Sequence, residues 1–140
     1  MKVRLFLAIL VFALTLSAYA QMPASSVPLA VRSELSRRYP DAKTTVWSKN
    51  DGNYDARWIS KADGPTTATF TTFGAFVGVT TVTPVKFLPA AVSGYVKSHY
   101  HSAIAEARKN VSVVGKITYR IKTSAGKTVV FDQDGKCLSR

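Results

Sequence analysis

VPLAVRSELSRRYPDA (residues 27–42) decides the fold, because LPAAVSGYVKSHYHSA (residues 88–103) repeats its pattern 61 positions later. Val27-Pro28 realigns with Leu88-Pro89, and Ala30, Val31, Leu35, Tyr39 and Ala42 realign with Ala91, Val92, Val96, Tyr100 and Ala103. The same offset, with no gap, sets Trp58, Phe70 and Gly74 on Tyr119, Phe131 and Gly135. A fixed period makes each copy one supersecondary unit, and duplicated residues read as shared scaffold before they read as catalytic groups. Within each copy the apolar residues recur every fourth position (Val27, Val31, Leu35 and Tyr39, then Leu88, Val92, Val96 and Tyr100), which is the single stripe of a helix. The first helix is expected to begin at Ser26 or Val27. The Ser26 hydroxyl can cap orphan amides there, and Pro28 fits a first turn, where its missing N–H costs nothing. Tyr39-Pro40 closes it, because the residue before a proline is disfavoured in the α region.

After each helix the period changes to two. Thr44, Val46 and Ser48 alternate with Thr45, Trp47 and Lys49, and Tyr54, Ala56 and Trp58 alternate with Asp55, Arg57 and Ile59. Asn50-Asp51-Gly52-Asn53 and Lys61-Ala62-Asp63-Gly64-Pro65 are the intervening turns. Residues 66–72 and 75–83 read as further β-branched strands. In the second copy, strands are expected at about 103–110, 114–123, 127–132 and 136–139. Each helix can bury only one face. The chain therefore reads as α+β in two layers, a tandem repeat of two helix-plus-antiparallel-meander subdomains with both helices on one side of a sheet. The expected divisions are a signal peptide (1–20), a linker (21–26), a first repeat (27–83) and a second repeat (84–140).

Residues 1–20 carry the marks of export. Met1-Lys2-Val3-Arg4 is basic, Leu5 to Leu16 is apolar apart from Thr15, and Ser17-Ala18-Tyr19-Ala20 ends in Ala-x-Ala before Gln21. The apolar run is shorter than the ~20 residues of a spanning helix, and no second run of that length follows, so no stable span is expected after cleavage. Loss of Lys2 and Arg4 lowers the formal net charge of +11 to about +9. That excess suits polyanions or acidic protein surfaces. Export argues against nucleic acid as a partner and leaves an envelope or secreted protein with an acidic surface, or an anionic polymer. The single cysteine, Cys137, rules out an intrachain disulfide and reads as a small apolar side chain on the last strand.

These elements together resemble the PepSY-like family of small exported bacterial proteins, also called beta-lactamase-inhibitor-like. In the first copy the resemblance rests on Pro28, Tyr39-Pro40, Trp47, Tyr54-x-Ala56-x-Trp58 and Phe70-x-x-x-Gly74. In the second it rests on Leu88-Pro89, Val92, Val96, Tyr100, Tyr119-x-Ile121 and Phe131-Asp132-x-x-Gly135. Thr71 departs from the Asp that the family carries after the hairpin Phe, whereas Asp132 keeps it. The resemblance implies tandem helix-plus-sheet subdomains like those of the beta-lactamase inhibitor protein, in a periplasmic or secreted location. It implies no catalytic residues.

The residues themselves offer no catalytic or metal set. His99 and His101 stand two apart on a helix and face different ways. Asp132-Gln133-Asp134-Gly135 opens like a calcium loop but lacks the later ligands, and reads as a turn. There is no Gly-x-Ser-x-Gly elbow and no phosphate loop. An enzyme is not expected, and no cofactor or metal. The candidate contact residues are aromatic: Trp47, Tyr54 and Trp58, with small Ala56 between the rings of Tyr54 and Trp58, and Lys49, Arg57 and Lys61 as a basic rim. If that strand face is open, it forms a shallow cleft for a partner's side chain; if covered, it is core. The expected function is an exported, non-enzymatic protein-binding or inhibitor-like module of the cell envelope. The alternatives are a basic protein associating with anionic envelope polymer, and a small-ligand binder.

Overall fold

The computed structural model describes residues 20–139, so all of the expected signal peptide except Ala20 lies outside the described residues. Two helices, α1 (Leu29–Arg38) and α2 (Ala90–Tyr100), pack on eight strands: β1 (Gln21–Met22), β2 (Val46–Asn50), β3 (Asn53–Ser60), β4 (Gly64–Phe70), β5 (Phe76–Val82), β6 (Ile104–Ser112), β7 (Ile117–Thr123) and β8 (Thr128–Asp132). The strands form a single antiparallel sheet in chain order, β1 to β8. The fold is α+β. The central pairing of β5 with β6 matches Gly78–Val82 to Ser112–Arg108 and joins the two halves of the sheet.

Three local expectations are corrected. Residues 21–26 are not a linker: Gln21 and Met22 pair with Ser48 and Trp47 on the sheet edge, and Ala24–Ser26 form a 3-10 turn. The first helix starts at Leu29, two to three residues later than read, because Ser26 is spent in that turn and Pro28 occupies the N-cap with no side-chain cap bond. Residues 136–139 do not extend as a strand. Only Cys137 bridges to Phe131, while Leu138 donates its backbone N–H to the Val130 carbonyl and the Ser139 hydroxyl accepts from the Val130 N–H, closing the β8 edge. A closed edge removes a template for pairing with another chain.

Helical period and strand alternation meet in two clusters. Val27, Val31 and Leu35 bury against Trp47, Tyr54, Ala56, Trp58, Ala68 and Phe70. Leu88, Val92 and Val96 bury against Ala107, Ile121, Val129 and Phe131. Both helices therefore cover the same sheet face, as the single stripes require. The polar face of α1 carries an ion-pair fork: Arg37 donates to Glu34 at 2.6 and 2.9 Å, and Arg38 at 2.6 Å. Two cations in the last turn also suit the helix dipole. Hydrogen bonds from Arg37 first, then Arg38, pull the Glu34 carboxyl from 4.5 down to about 2. A depressed folded-state value means that the contribution is present above the unfolded value of 4.5 and is lost as pH falls from there through about 2. Because the fork lies at the surface, salt screens it and its effect on stability is small. A carboxyl-detected NMR titration should place the Glu34 midpoint near 2, and Arg37→Ala should raise it; a midpoint at the ordinary glutamate value would show that the fork does not form in solution.

Candidate functional site

The face of the sheet away from the helices is built from the alternate residues of the same strands. Paired positions share a face, so the register gives its rows directly. One row runs Val46, Arg57, Thr67, Thr80, Asn110, Thr118 and Asp132 across seven strands. A second runs Ser48, Asp55, Thr69, Gly78 and Ser112. A third contains Ile59 with Pro65, and Val82 with Arg108, Arg120 and Val130. Glycine at 78 fits the crowding at this point, because a Cβ there would lie 2.9 Å from the Val111 carbonyl oxygen.

Two adjoining hollows mark this face. One, of about 480 Å³, is polar and includes Asp55, Arg57, Thr69, Arg108, Asn110 and Arg120. The other, of about 300 Å³, includes Val46, Ile59, Pro65 and Val82. Arg57, Thr67, Thr80 and Arg108 line both, so the two form one groove. Its polar side chains are held in place. The Arg57 guanidinium donates to the Ser48 hydroxyl at 3.3 Å. Thr69 donates to the Asp55 carboxylate at 2.7 Å. The Asn110 amide donates to the Thr80 hydroxyl at 2.9 Å and to the Val79 carbonyl at 3.4 Å. Arg108 pairs with Glu106 on its own strand. Arg57, Arg108 and Arg120 are all exposed.

The six residues singled out from the sequence do not form one site. Tyr54, Ala56 and Trp58 do share a strand face, and Trp47 joins them because it pairs with Ala56. That face is the covered one: Trp47, Tyr54 and Trp58 are buried beneath α1, with Tyr39 packed on Trp58 at a ring separation of 4.9 Å. Of the two alternatives left open by the sequence, that face is therefore core. Lys49 lies on the same side at the sheet edge, its ammonium 5.4 Å from the Tyr54 ring centre. Lys61 stands in the turn between β3 and β4. Of the six, Arg57 is exposed in the open groove, and buried Trp58 borders its smaller hollow. Sequence reading missed Arg108 and Arg120, which lie 51 and 63 positions from Arg57. The available signal was alternation, since Arg108 and Arg120 stand on polar positions of strands whose other face is apolar.

The histidines sit elsewhere. His99 stacks on Tyr95 at 3.8 Å, and His101 ends α2 in a left-handed conformation. Among the described residues no three His, Cys, Asp or Glu side chains converge as metal ligands, and no helix is long and apolar enough to cross a membrane. The groove offers hydrogen-bond donors, cations and an apolar end.

Comparison with known proteins agrees with the architecture. The family described as "Putative beta-lactamase-inhibitor-like, PepSY-like" matches residues 14–58 and 52–139. No curated protein sequence matches the chain. Among solved structures, a putative periplasmic protein from Bacteroides eggerthii is 20% identical, with a TM-score of 0.71 over 81% of this chain and 86% of its own. A DUF2874 family protein from Bacteroides ovatus is 20% identical, with a TM-score of 0.68 over 80% and 84%. A BLIP-like protein from Bacteroides fragilis is 21% identical, with a TM-score of 0.63 over 84% and 85%. At such identities the likeness shows the fold. None of these names is that of an enzyme.

Proposed function

The chain belongs to the PepSY-like, beta-lactamase-inhibitor-like family, and on that premise we propose that it is an exported, non-enzymatic binding module that engages a protein partner through the open groove of its sheet. The observation that carries this reading is the groove itself: exposed Arg57, Arg108 and Arg120 beside a strip of Val46, Ile59, Pro65 and Val82. Cationic and apolar surface side by side matches the anatomy of a protein interface, where apolar contact supplies affinity and charge supplies selectivity. A periplasmic location is supported by the basic, apolar, Ala-x-Ala start of the chain and by the periplasmic description of a structural neighbour. The 61-residue correspondence is read as a duplication of one helix-plus-meander unit; its support is that Phe70 and Phe131, equivalent by that offset, each sit fully buried beneath their own helix.

The test is capture from the native envelope fraction with the purified protein, washed at low and high salt and read by mass spectrometry. A protein retained through high salt, and lost with the Arg108→Ala/Arg120→Ala double variant, is the expected result. Recovery of anionic polymer alone, released by modest salt, would instead assign the protein to charge-driven surface association, the second reading that its net charge supports. No saturable protein partner under either wash would sink the binding-module proposal.

A further inference from the structure

The groove changes character across the strands: its β2–β5 end is mostly apolar but holds Arg57, its β6–β7 end is cationic, and Arg108 borders both. At one end, on β2 to β5, lie Val46, Ile59, Pro65 and Val82; Ile59, next to the end of β3, is 74% exposed. At the other end Arg108 and Arg120 stand directly opposite each other on β6 and β7. Like charges in that position repel, so an anion shared between them relieves a cost already present in the free protein. The carboxylates nearby leave room for one. Glu106 pairs with Arg108 alone, Asp55 is held by Thr69, Asp132 on the neighbouring row accepts the backbone N–H groups of Asp134 and Lys136, and among the described residues Arg120 makes no ion pair. The hydroxyls of Thr67, Thr80 and Thr118 lie in the row between Arg57 and the sheet edge and can bond peptide groups or carboxylate oxygens.

The geometry points to an extended segment of a partner protein that lies across the strands, seats an apolar side chain against Ile59 and Val82, and places a Glu or Asp carboxylate between Arg108 and Arg120. This rests on the protein-binding reading and narrows it. The spacing follows from the sheet. From the middle of the apolar end, on β4, to the midpoint of β6 and β7 is two to three strand separations, about 12 Å at ~4.8 Å each. An extended chain covers that distance in three or four residues at ~3.3 Å per residue. The recognised pattern is thus an apolar residue followed or preceded, three or four positions away, by an acidic one. Arginine suits the acidic end because its planar fork binds a carboxylate bidentately.

The test uses fluorescein-labelled, acetylated ten-residue peptides on a Ser/Ala background, titrated with the purified protein and read by anisotropy. One peptide carries Leu and Glu four positions apart. Three comparison peptides carry Leu and Lys, Ser and Glu, or adjacent Leu-Glu. The Leu/Glu peptide at the long spacing should bind at least tenfold tighter than each comparison. Arg108→Ala/Arg120→Ala should remove that advantage over Leu/Lys, and Ile59→Ser should remove the advantage over Ser/Glu. Lys127→Ala/Lys136→Ala, exposed cations outside the groove, should leave binding unchanged. These positions are solvent-facing, and a circular-dichroism melt will show that each variant remains folded. The inference is overturned if Leu/Lys binds as well as Leu/Glu, if no peptide binds at millimolar concentration, or if the Lys127/Lys136 variant loses as much as the arginine variant. Its failure is separable from that of the parent reading: an envelope partner still captured by the arginine variant leaves the binding module standing and removes only this assignment.

Discussion

Replacing Phe131 by Ala is expected to destabilise the protein by about 3–5 kcal/mol, which for a domain of this size lowers Tm by about 10–20 °C. The ring is wholly buried. It faces Tyr119 across β7, meets the Tyr95 ring edge-on at 5.4 Å, and is enclosed by Leu88, Val92, Val96, Ala107, Ile121 and Val129. Removing it forfeits both the transfer free energy of the ring and the contacts of its lining, because walls set by a helix and three paired strands cannot collapse into the space. Phe70→Ala, at the equivalent place in the other cluster and 5.8 Å from Phe76, should cost a similar amount. The two clusters share no residue, so the double variant should lose the sum of the single losses. A single transition is expected in each variant, since β5 and β6 pair over five residues and tie the halves together. Urea unfolding followed by tryptophan fluorescence and by circular dichroism gives both numbers. A loss below 1 kcal/mol for Phe131→Ala would overturn this account of the core.

Gly74→Ala is expected to cost about 2–4 kcal/mol, from left-handed strain and overpacking together. The residue turns the chain between β4 and β5 with φ +84°, a conformation that L side chains rarely adopt. A Cβ there would also lie 2.8 Å from the Ala30 carbonyl oxygen and 2.9 Å from its carbon. That obstacle is helix backbone, which cannot swing aside as a side chain can; the hairpin would have to lift away from the first turn of α1. Gly135 shares the φ of +84°, yet its added Cβ would meet the Ala91 Cβ at 3.0 Å and the Pro89 Cβ at 3.2 Å. Gly135→Ala should therefore be the milder change of the two, by about 1 kcal/mol or more. Equal losses at both positions would show that the left-handed turn alone, and not the contact with α1, sets the requirement.

The strands were legible in the sequence, but which of their faces is open was not. Alternation in β3 separates Tyr54, Ala56 and Trp58 from Asp55, Arg57 and Ile59 whatever happens elsewhere. It does not say which set a helix will cover. The apolar set won because α1 brings Val27, Val31 and Leu35 onto it, and burying large rings outweighs burying Arg57. Ile59, an aliphatic residue on the polar set, remains exposed and becomes informative only beside Val46 and Val82. Cys137, expected on a last strand, lies opposite Phe131 in a bridge of one residue. The edge strand Gln21–Met22 carried no signal, since two residues are too few for any period and their pairing is fixed by Ser48 and Trp47, far along the chain.

The sequence by itself determined the α+β class, the helical stripes, most of the hairpins and the glycine at each of the two equivalent turns. All of these are set by contacts within a few residues or by a repeat visible along the chain. The two single stripes also pointed to both helices on one side of a sheet. Tertiary structure alone decided that the aromatic set is sealed beneath them, and that Arg57, Arg108 and Arg120 meet on the other side. That meeting depends on the register of β5 against β6 across the second helix, a non-local pairing that no local periodicity encodes.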